Sequence, residues 1–267
     1  MRRRFIKMHG CGNDFVIFDG RRDQFDLSPE TIAMLADRHL GVGCDQMISM
    51  RADPDADAFM QIFNADGTPA GACGNATRCV ADLIMREKDQ DTAVLRTEAG
   101  LLHADRQPDD RIQVDMGLVK LDWSDIPLAR PMDTLHMALP GEPAAVSMGN
   151  PHVTFFVSDI ETTDVAVDGP RYENDALFPE RVNVGFAQIM DQTTIRLRVW
   201  ERGAGLTLAC GSGACAALVN ACRRGLTQRK ARVLVDGGAL DIAWRNDGHV
   251  IMGGPATTVF SGEVDLP

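Results

Sequence analysis

Two cysteines and two glycine–asparagine pairs recur in this 267-residue chain at one constant spacing of 137 residues. Cys73-Gly74 is matched by Cys210-Gly211, and Gly12-Asn13 is matched by Gly149-Asn150. A cysteine followed by glycine and a short polar residue is typical of a helix start. There, unpaired N–H groups and the helix dipole favour a thiolate and can hold a carboxylate. Two such thiols suit the transfer of a proton from one face of a carbon to the other.

The elements that must position these cysteines also repeat. Asn75–Glu87 and Ser212–Arg224 carry apolar residues at roughly helical spacing, which predicts one buried helix behind each cysteine. Many short, alternating apolar stretches flank them, for example Phe15–Phe18 and Ile195–Trp200, and these predict strands. We therefore expect an α+β fold of two pseudo-symmetric domains. Each is predicted to be a mostly antiparallel, barrel-like sheet wrapped around a central helix.

The domain boundary is expected near Gly117–Pro131, a stretch with two prolines and no clear periodicity. This interpretation assigns residues 1–118, with Cys73, to the N-terminal domain. Residues 119–257, with Cys210, form the C-terminal domain.

Bulk properties narrow the class of protein. The net charge of -11 argues against nucleic acid as a partner, because such binding needs a basic face. No stretch has the length of a membrane span, and the basic start lacks the apolar core of a signal peptide. Seven cysteines without an export signal predict reduced thiols in the cytoplasm.

Competing cysteine chemistries fit the spacing poorly. A structural zinc site or a thioredoxin-like motif usually shows C-x-x-C pairs, whereas Cys73 is followed next by Cys79, and Cys210 by Cys215. We therefore expect no metal. A cysteine hydrolase would use one thiol with a histidine and leave the other idle. A thiol-dependent binder or redox sensor remains an alternative.

Polar residues extend the repeat but differ between the halves. The same spacing relates Gln46 to Asn183 and Asn64 to Glu201, and Arg202 adds a group able to grip a carboxylate bidentately. Amide side chains can donate and accept, which suits a substrate carrying ammonium and carboxylate groups. His152, close after Asn150, is a candidate for tuning a thiolate.

Taken together, several segments resemble diaminopimelate epimerase, and the likeness follows the chain from its first strand to its last. They are Met8–Phe15, Asn64–Gly67, Ala72–Asn75, Gly149–His152, Glu201–Gly205 and Ala209–Cys215. The resemblance implies a cofactor-independent isomerase, without pyridoxal phosphate, that interconverts LL- and meso-diaminopimelate for lysine and peptidoglycan synthesis. It further implies a homodimer and a C-terminal segment, 258–267, that returns to the first domain.

The resemblance also assigns roles to residues. Cys73 and Cys210 match the catalytic acid and base, and His152 and Glu201 match residues thought to modulate the thiols. The other matching positions bind substrate: Asn13, Gln46, Asn64, Gly74, Asn75, Asn150, Asn183, Glu201, Arg202, Gly211 and Ser212.

Four positions depart from the family pattern. Ala76-Thr77 stands where glycine and alanine are usual, Cys11 replaces a common leucine, and Phe260 replaces a tyrosine often found near the dimer contact.

The main alternative activity is that of a proline or hydroxyproline racemase type of the same fold. Such substrates lack a distal charged end, so Asn64, Asn183 and Arg202 would have little to bind.

Overall fold

The computed structural model describes residues 2–266. The chain divides into two compact units. Unit 1 comprises the residues up to Val114 together with the segment from Gly254 onwards, and unit 2 comprises Asp115–Gly253. Within the described range, no helix is both long and apolar enough to cross a membrane.

The elements follow one another in the same order in both units. The N-terminal part contains β1 (Arg2–Gly10), β2 (Asn13–Asp19), α1 (Pro29–Ala36), β3 (Gln46–Arg51), β4 (Ala58–Asn64), β5 (Pro69–Ala70), α2 (Gly74–Lys88), β6 (Thr92–Thr97), β7 (Gly100–Arg106) and β8 (Ile112–Leu118). The remainder contains β9 (Ala144–Ser147), β10 (Pro151–Phe156), α3 (Val165–Glu173), β11 (Asn183–Asp191), β12 (Thr194–Glu201), β13 (Gly205–Thr207), α4 (Gly211–Arg223), β14 (Lys230–Val235), β15 (Gly238–Trp244), β16 (His249–Gly254) and β17 (Thr257–Asp265).

Among the pairings whose direction is described for residues 2–266, most are antiparallel and two in each unit are parallel. In unit 1 the parallel pairs are β2–β3 and β4–β6, and in unit 2 they are β10–β11 and β12–β14. The duplication extends to the register of these pairs. Phe15 pairs with Gln46, and His152 pairs with Asn183 at the same offset of 137 residues. The predicted α+β class and repeated architecture are therefore confirmed.

Each unit is built around one helix. Helix α2 contacts β1, β2, β6 and β7, and α4 contacts β9–β12, β14 and β15. Residues on all sides of both helices are buried, including the whole run Ala214–Ala221. A helix that is buried around its circumference belongs to a core rather than a surface. The sequence-predicted helices at Asn75–Glu87 and Ser212–Arg224 are these two core helices.

The C-terminal strand β17 packs in unit 1, where it pairs along β1. The preceding segment is tied to the core helix as well, because Arg78 Nε donates to the Pro255 carbonyl at 3.4 Å. Arg78 is fully buried, and a Cβ on Gly10 would lie 2.8 Å from its Nη2. A side chain at position 10 would therefore displace this arginine.

Candidate active site

Both cysteines occupy the N-cap position of their core helix. Cys73 precedes α2 and Cys210 precedes α4, each with extended backbone angles. The two caps differ in detail. The Sγ of Cys210 accepts a hydrogen bond from the Gly213 N–H at 3.3 Å, whereas the Cys73 side chain makes no capping bond. Cys210 is buried and Cys73 is partly exposed.

In unit 1, three predicted amide side chains lie at one edge of the sheet. Strands β2 and β3 run parallel from Asn13 and Gln46, and the antiparallel β4 ends at Asn64, directly opposite Gln46. Gln46 Nε2 donates to Asn64 Oδ1 at 3.1 Å. Asn64 Nδ2 in turn donates to Thr68 Oγ1 at 3.1 Å.

Asn13 links this edge to the first cysteine. Its Oδ1 accepts from the Cys73 thiol at 3.8 Å and from Asn75 Nδ2 at 3.1 Å. The turn before it needs left-handed backbone, with φ of 55° at Cys11 and 83° at Gly12, and this returns β2 alongside β1. The thiol, the amide and the helix start of unit 1 therefore form one cluster.

Four ionisable side chains next to Asn13 are joined by hydrogen bonds, and we call them the Asp14 network: Lys7, Asp14, Arg38 and Asp45. Asp14 accepts from Lys7 Nζ at 2.6 Å and from Arg38 at 2.7 and 3.0 Å. Burial alone would raise the pKa of Asp14, but the hydrogen bonds from Arg38 and Lys7 lower it to about 2. Asp14 is therefore ionised at neutral pH.

In unit 2, the equivalent cluster contains a histidine. His152 Nε2 lies 3.0 Å from both Asn150 Oδ1 and Ser212 Oγ. Ser212 Oγ is 3.7 Å from Cys210 Sγ, so a hydroxyl stands between the imidazole and the thiol. Burial, with a smaller contribution from the charge of Arg202, lowers the pKa of His152 to about 3. His152 is therefore neutral at physiological pH.

Cys210 also faces a carboxylate. Its thiol donates to Glu201, whose Oε1 accepts a hydrogen bond of 2.5 Å from Thr207 Oγ1. Burial raises the pKa of the Cys210 thiol well above its usual value, and the charge of Glu201 raises it further. The N–H of Gly213 and the hydroxyl of Ser212 act in the opposite direction but are outweighed. The expectation that the helix start would favour a Cys210 thiolate is therefore wrong for this structure.

Asn183 and Arg202 lie beside this cluster and are held by backbone atoms. Asn183 is buried; its Nδ2 donates to the Pro151 carbonyl at 2.9 Å, and its Oδ1 accepts from the Arg202 N–H at 3.0 Å. The Arg202 guanidinium donates to the Glu180 carbonyl at 3.0 Å. Asn183 thus holds the Glu201-Arg202 turn in place, and its direct contact with substrate stays a prediction.

Sequence reasoning missed several supporting residues. Glu173, buried on α3, accepts from Trp200 Nε1 at 2.7 Å and from the Gly203 N–H at 2.9 Å, on either side of the Glu201-Arg202 pair. Thr207 and Asp45 were also missed. The sequence did contain a signal for Thr207, because its counterpart at the offset of 137 is Ala70, whose side chain cannot form a hydrogen bond. Nothing in the local sequence marks Glu173.

Comparisons with known proteins identify the family of this chain. The family model described as diaminopimelate epimerase matches residues 5–121 and 144–259. The chain is 57% identical to diaminopimelate epimerase of Acidiphilium cryptum, over 98% of this chain and 96% of that protein. It is 54% identical to diaminopimelate epimerase of Gluconobacter oxydans, over 97% of both chains.

Solved structures of lower identity share the fold. A PhzF-family phenazine biosynthesis protein of Bacillus anthracis superposes with a TM-score of 0.72 at 14% identity, over 100% of both chains. A hydroxyproline epimerase of Agrobacterium vitis gives a TM-score of 0.71 at 14% identity, over 98% of this chain and 91% of that one. Proteins with different names thus share this fold at low identity. The high identities over nearly the whole chain are those to the diaminopimelate epimerases. The chain belongs to the diaminopimelate epimerase family.

Proposed function

We propose that this protein is an isomerase that interconverts LL- and meso-diaminopimelate, with Cys73 and Cys210 as its acid and base. The observation that carries the assignment of these residues is their shared position. Each cysteine occupies the N-cap position of the core helix of its own unit, and each thiol stands beside a hydrogen-bond acceptor, Asn13 Oδ1 or Glu201. The family membership supplies the substrate.

The reaction needs no more than proton transfer at one α-carbon. The thiolate of one cysteine takes the α-proton, so the C–H bond breaks and its electron pair passes into the α-carboxylate as an enolate-like ion. The thiol of the other cysteine then delivers its proton to the opposite face. The first cysteine ends as a thiol and the second as a thiolate, so the roles are exchanged for the reverse direction. This mechanism requires both thiols to reach opposite faces of the same carbon.

The charge that develops on the carboxylate needs stabilisation. The first-turn N–H groups of a helix have no intrahelical partners and favour an anion, which suits the groups that begin α2 and α4: Gly74, Asn75, Gly211 and Ser212. In α4 the Gly213 N–H donates to the Cys210 sulfur, so it stabilises the thiolate form of Cys210 and is not available to the carboxylate.

The surroundings of Cys210 suit a thiol that must change its protonation state. Glu201 accepts from the S–H, while Gly213 and Ser212 donate to the sulfur. When Cys210 serves as the base, its proton passes to the Glu201 carboxylate before the α-proton is taken. When it serves as the acid, the buried thiol is already protonated.

The remaining polar residues fit the far end of diaminopimelate, which carries a second amino-acid group. Asn64 in unit 1 and the Arg202 guanidinium in unit 2 supply amide and cationic groups of the type that bind carboxylate and ammonium. A proline-type substrate has no such end. We further propose that the enzyme works in the cytoplasm as a homodimer, with β17 contributing to the dimer contact, and that it needs no cofactor or metal.

The test is to incubate the protein with LL-diaminopimelate in deuterated water and to follow both stereochemistry and α-deuterium. We expect meso product with solvent label, and loss of at least about 10³-fold in rate for Cys73→Ala and for Cys210→Ala. Cys222→Ala, in a partly exposed cysteine near the end of α4, is the matched control and should keep normal activity. Near-normal epimerisation by either of the first two variants would contradict the two-cysteine mechanism.

A further inference from the structure

The orientation of the Asn13 amide is fixed by a neighbour outside the predicted site. Asn13 Nδ2 donates to Asp45 Oδ2 at 2.9 Å. A carboxylate can only accept hydrogen bonds, so the amide nitrogen must face Asp45 and the amide oxygen must face the other way. The other side is occupied by the Cys73 thiol at 3.8 Å and by Asn75 Nδ2 at 3.1 Å.

Asp45 is itself held in place from several sides. Its Oδ2 also accepts from the Asp14 N–H at 3.1 Å, and its Oδ1 accepts from Arg38 Nη2 at 2.7 Å. The Arg38 guanidinium bridges Asp45 and Asp14. The carboxylate therefore cannot rotate away from Asn13 without breaking bonds to two other groups.

From this geometry we infer that Asp45 is a positioning residue, which turns the Asn13 oxygen toward Cys73 and so favours the protonated thiol. An amide oxygen stabilises S–H, because it accepts that proton; an amide N–H in the same place would stabilise the thiolate instead. Asp45 thus selects the acid form of Cys73 in the free enzyme. The inference rests on the proposed function for its catalytic meaning, but the geometry and its test do not depend on turnover.

Unit 2 has no carboxylate at the position equivalent to Asp45. The residue at the offset of 137 from Asp45 is Val182, which has no hydrogen-bonding side chain. There the amide of Asn150 is oriented by His152, which faces its Oδ1 at 3.0 Å. The two amides are therefore oriented by different chemical groups.

Other ionisable groups lie on the elements around the Asn13–Cys73 pair. On β1, β2 and the α1–β3 connection they are Lys7, His9, Asp14, Arg38 and Cys44, and in the turn and on α2 they are Cys11, Arg78 and Cys79. A test must therefore separate the orientation of Asn13 from a simple change of charge.

The experiment measures the rate of iodoacetamide alkylation of Cys73 against pH in the intact protein. Trypsin releases Cys73 in the peptide 52–78, where it is the only cysteine, so mass spectrometry follows this thiol alone. In Asp45→Ala the Asn13 amide is released and can turn its N–H toward sulfur. We expect the profile to move to lower pH and alkylation at pH 7 to become about fivefold faster. Asp45→Val, which has no hydrogen-bonding side chain and copies Val182 of unit 2, must give the same shift.

Two controls identify the cause. Asp105→Ala removes an exposed carboxylate on β7 of the same unit and should leave the profile unchanged. In an Asn13→Ala background, the Asp45→Ala substitution should have no further effect. If the shift persists without Asn13, or if Asp45→Ala alkylates like the wild type, the inference is overturned. Failure of the epimerase assay in deuterated water would instead reject the proposed function and leave the alkylation result standing.

Discussion

The two units place a cysteine, an amide and a helix start at matching positions but surround them with different groups. In unit 1 a partly exposed Cys73 faces the Asn13 amide, which is backed by the charged Asp14 network. In unit 2 a buried Cys210 faces Glu201 and reaches a neutral histidine through Ser212. The position equivalent to His152 in unit 1 is Phe15, which is fully buried and cannot exchange a proton.

This difference shows how a duplicated fold can hold two thiols whose surroundings, and therefore proton affinities, differ. The positions of the cysteines follow from the repeated helix, strands and register. The proton affinity of each thiol instead depends on the few side chains that touch it, which the halves do not share. Such asymmetry suits an epimerase whose substrate has a reacting end and a distal end, because the two ends need different binding groups.

The largest effect is expected when Glu201 is replaced by Gln, which removes the carboxylate but keeps the shape. Since the charge of Glu201 raises the pKa of Cys210, the alkylation profile of Cys210 should shift to lower pH. Turnover should nevertheless fall by about 10²-fold, because the acceptor for the Cys210 proton is lost. Steady-state kinetics check the turnover. Fragment-ion mass spectrometry of the tryptic peptide 203–223 follows the alkylation of Cys210 apart from that of Cys215 and Cys222. Unchanged turnover would show that Glu201 takes no part in proton transfer.

A smaller effect is expected from His152→Phe, which gives unit 2 the residue found at the equivalent place in unit 1. The link to Ser212 is lost, and kcat should drop by about tenfold. His152→Gln, which retains polar atoms but does not titrate, should recover part of the activity. If the His152→Phe enzyme matched the wild type, the histidine would have no function at the thiol.

The same variants test the pH dependence of stability. The pKa of His152 is about 3 in the folded protein and about 6.5 when unfolded, so its contribution is fully present above pH 6.5. It is lost as pH falls toward 3, by about 1.4 kcal/mol per pH unit. Urea unfolding between pH 6.5 and 5 should show this slope in the wild type. His152→Phe and His152→Gln should each lower this slope by the contribution of one proton, about 1.4 kcal/mol per pH unit. A slope that is the same in both variants as in the wild type would show that other groups cause it.

The smallest effect is expected at Thr207, whose hydroxyl donates to Glu201 at 2.5 Å. Thr207→Ala copies the alanine at the equivalent position of unit 1 and frees the carboxylate to move. A charge-assisted hydrogen bond of this kind supports a loss of about threefold to tenfold in kcat. Thr207→Ser keeps the hydroxyl and should stay near the wild type. Equal losses in both variants would point to the missing methyl group and not to the hydrogen bond.

Some helices and strands could be predicted from the sequence, and others could not. The helices behind the cysteines and strands such as β4 and β12 have strong apolar periodicity, which is a local signal. Strand β1 carries Arg2, Arg3, Arg4 and Lys7, which disguise its pattern; it forms because β2 and β17 pair with it on both sides. Helix α3 contains Pro170, which argues against a helix in isolation. Such elements are stabilised by distant partners that local patterns do not report.

The sequence by itself determined the duplication, the pairing of Cys73 with Cys210 as equivalent residues, and their place at helix starts. These follow from spacing and from local helix signals, which need no knowledge of distant contacts. Only the tertiary structure decided that Cys210 is buried against Glu201, that His152 is neutral and that Asp45 orients Asn13. The physical reason is that burial and hydrogen bonding set the proton affinity of a group. Both depend on residues brought together by the fold from remote parts of the chain.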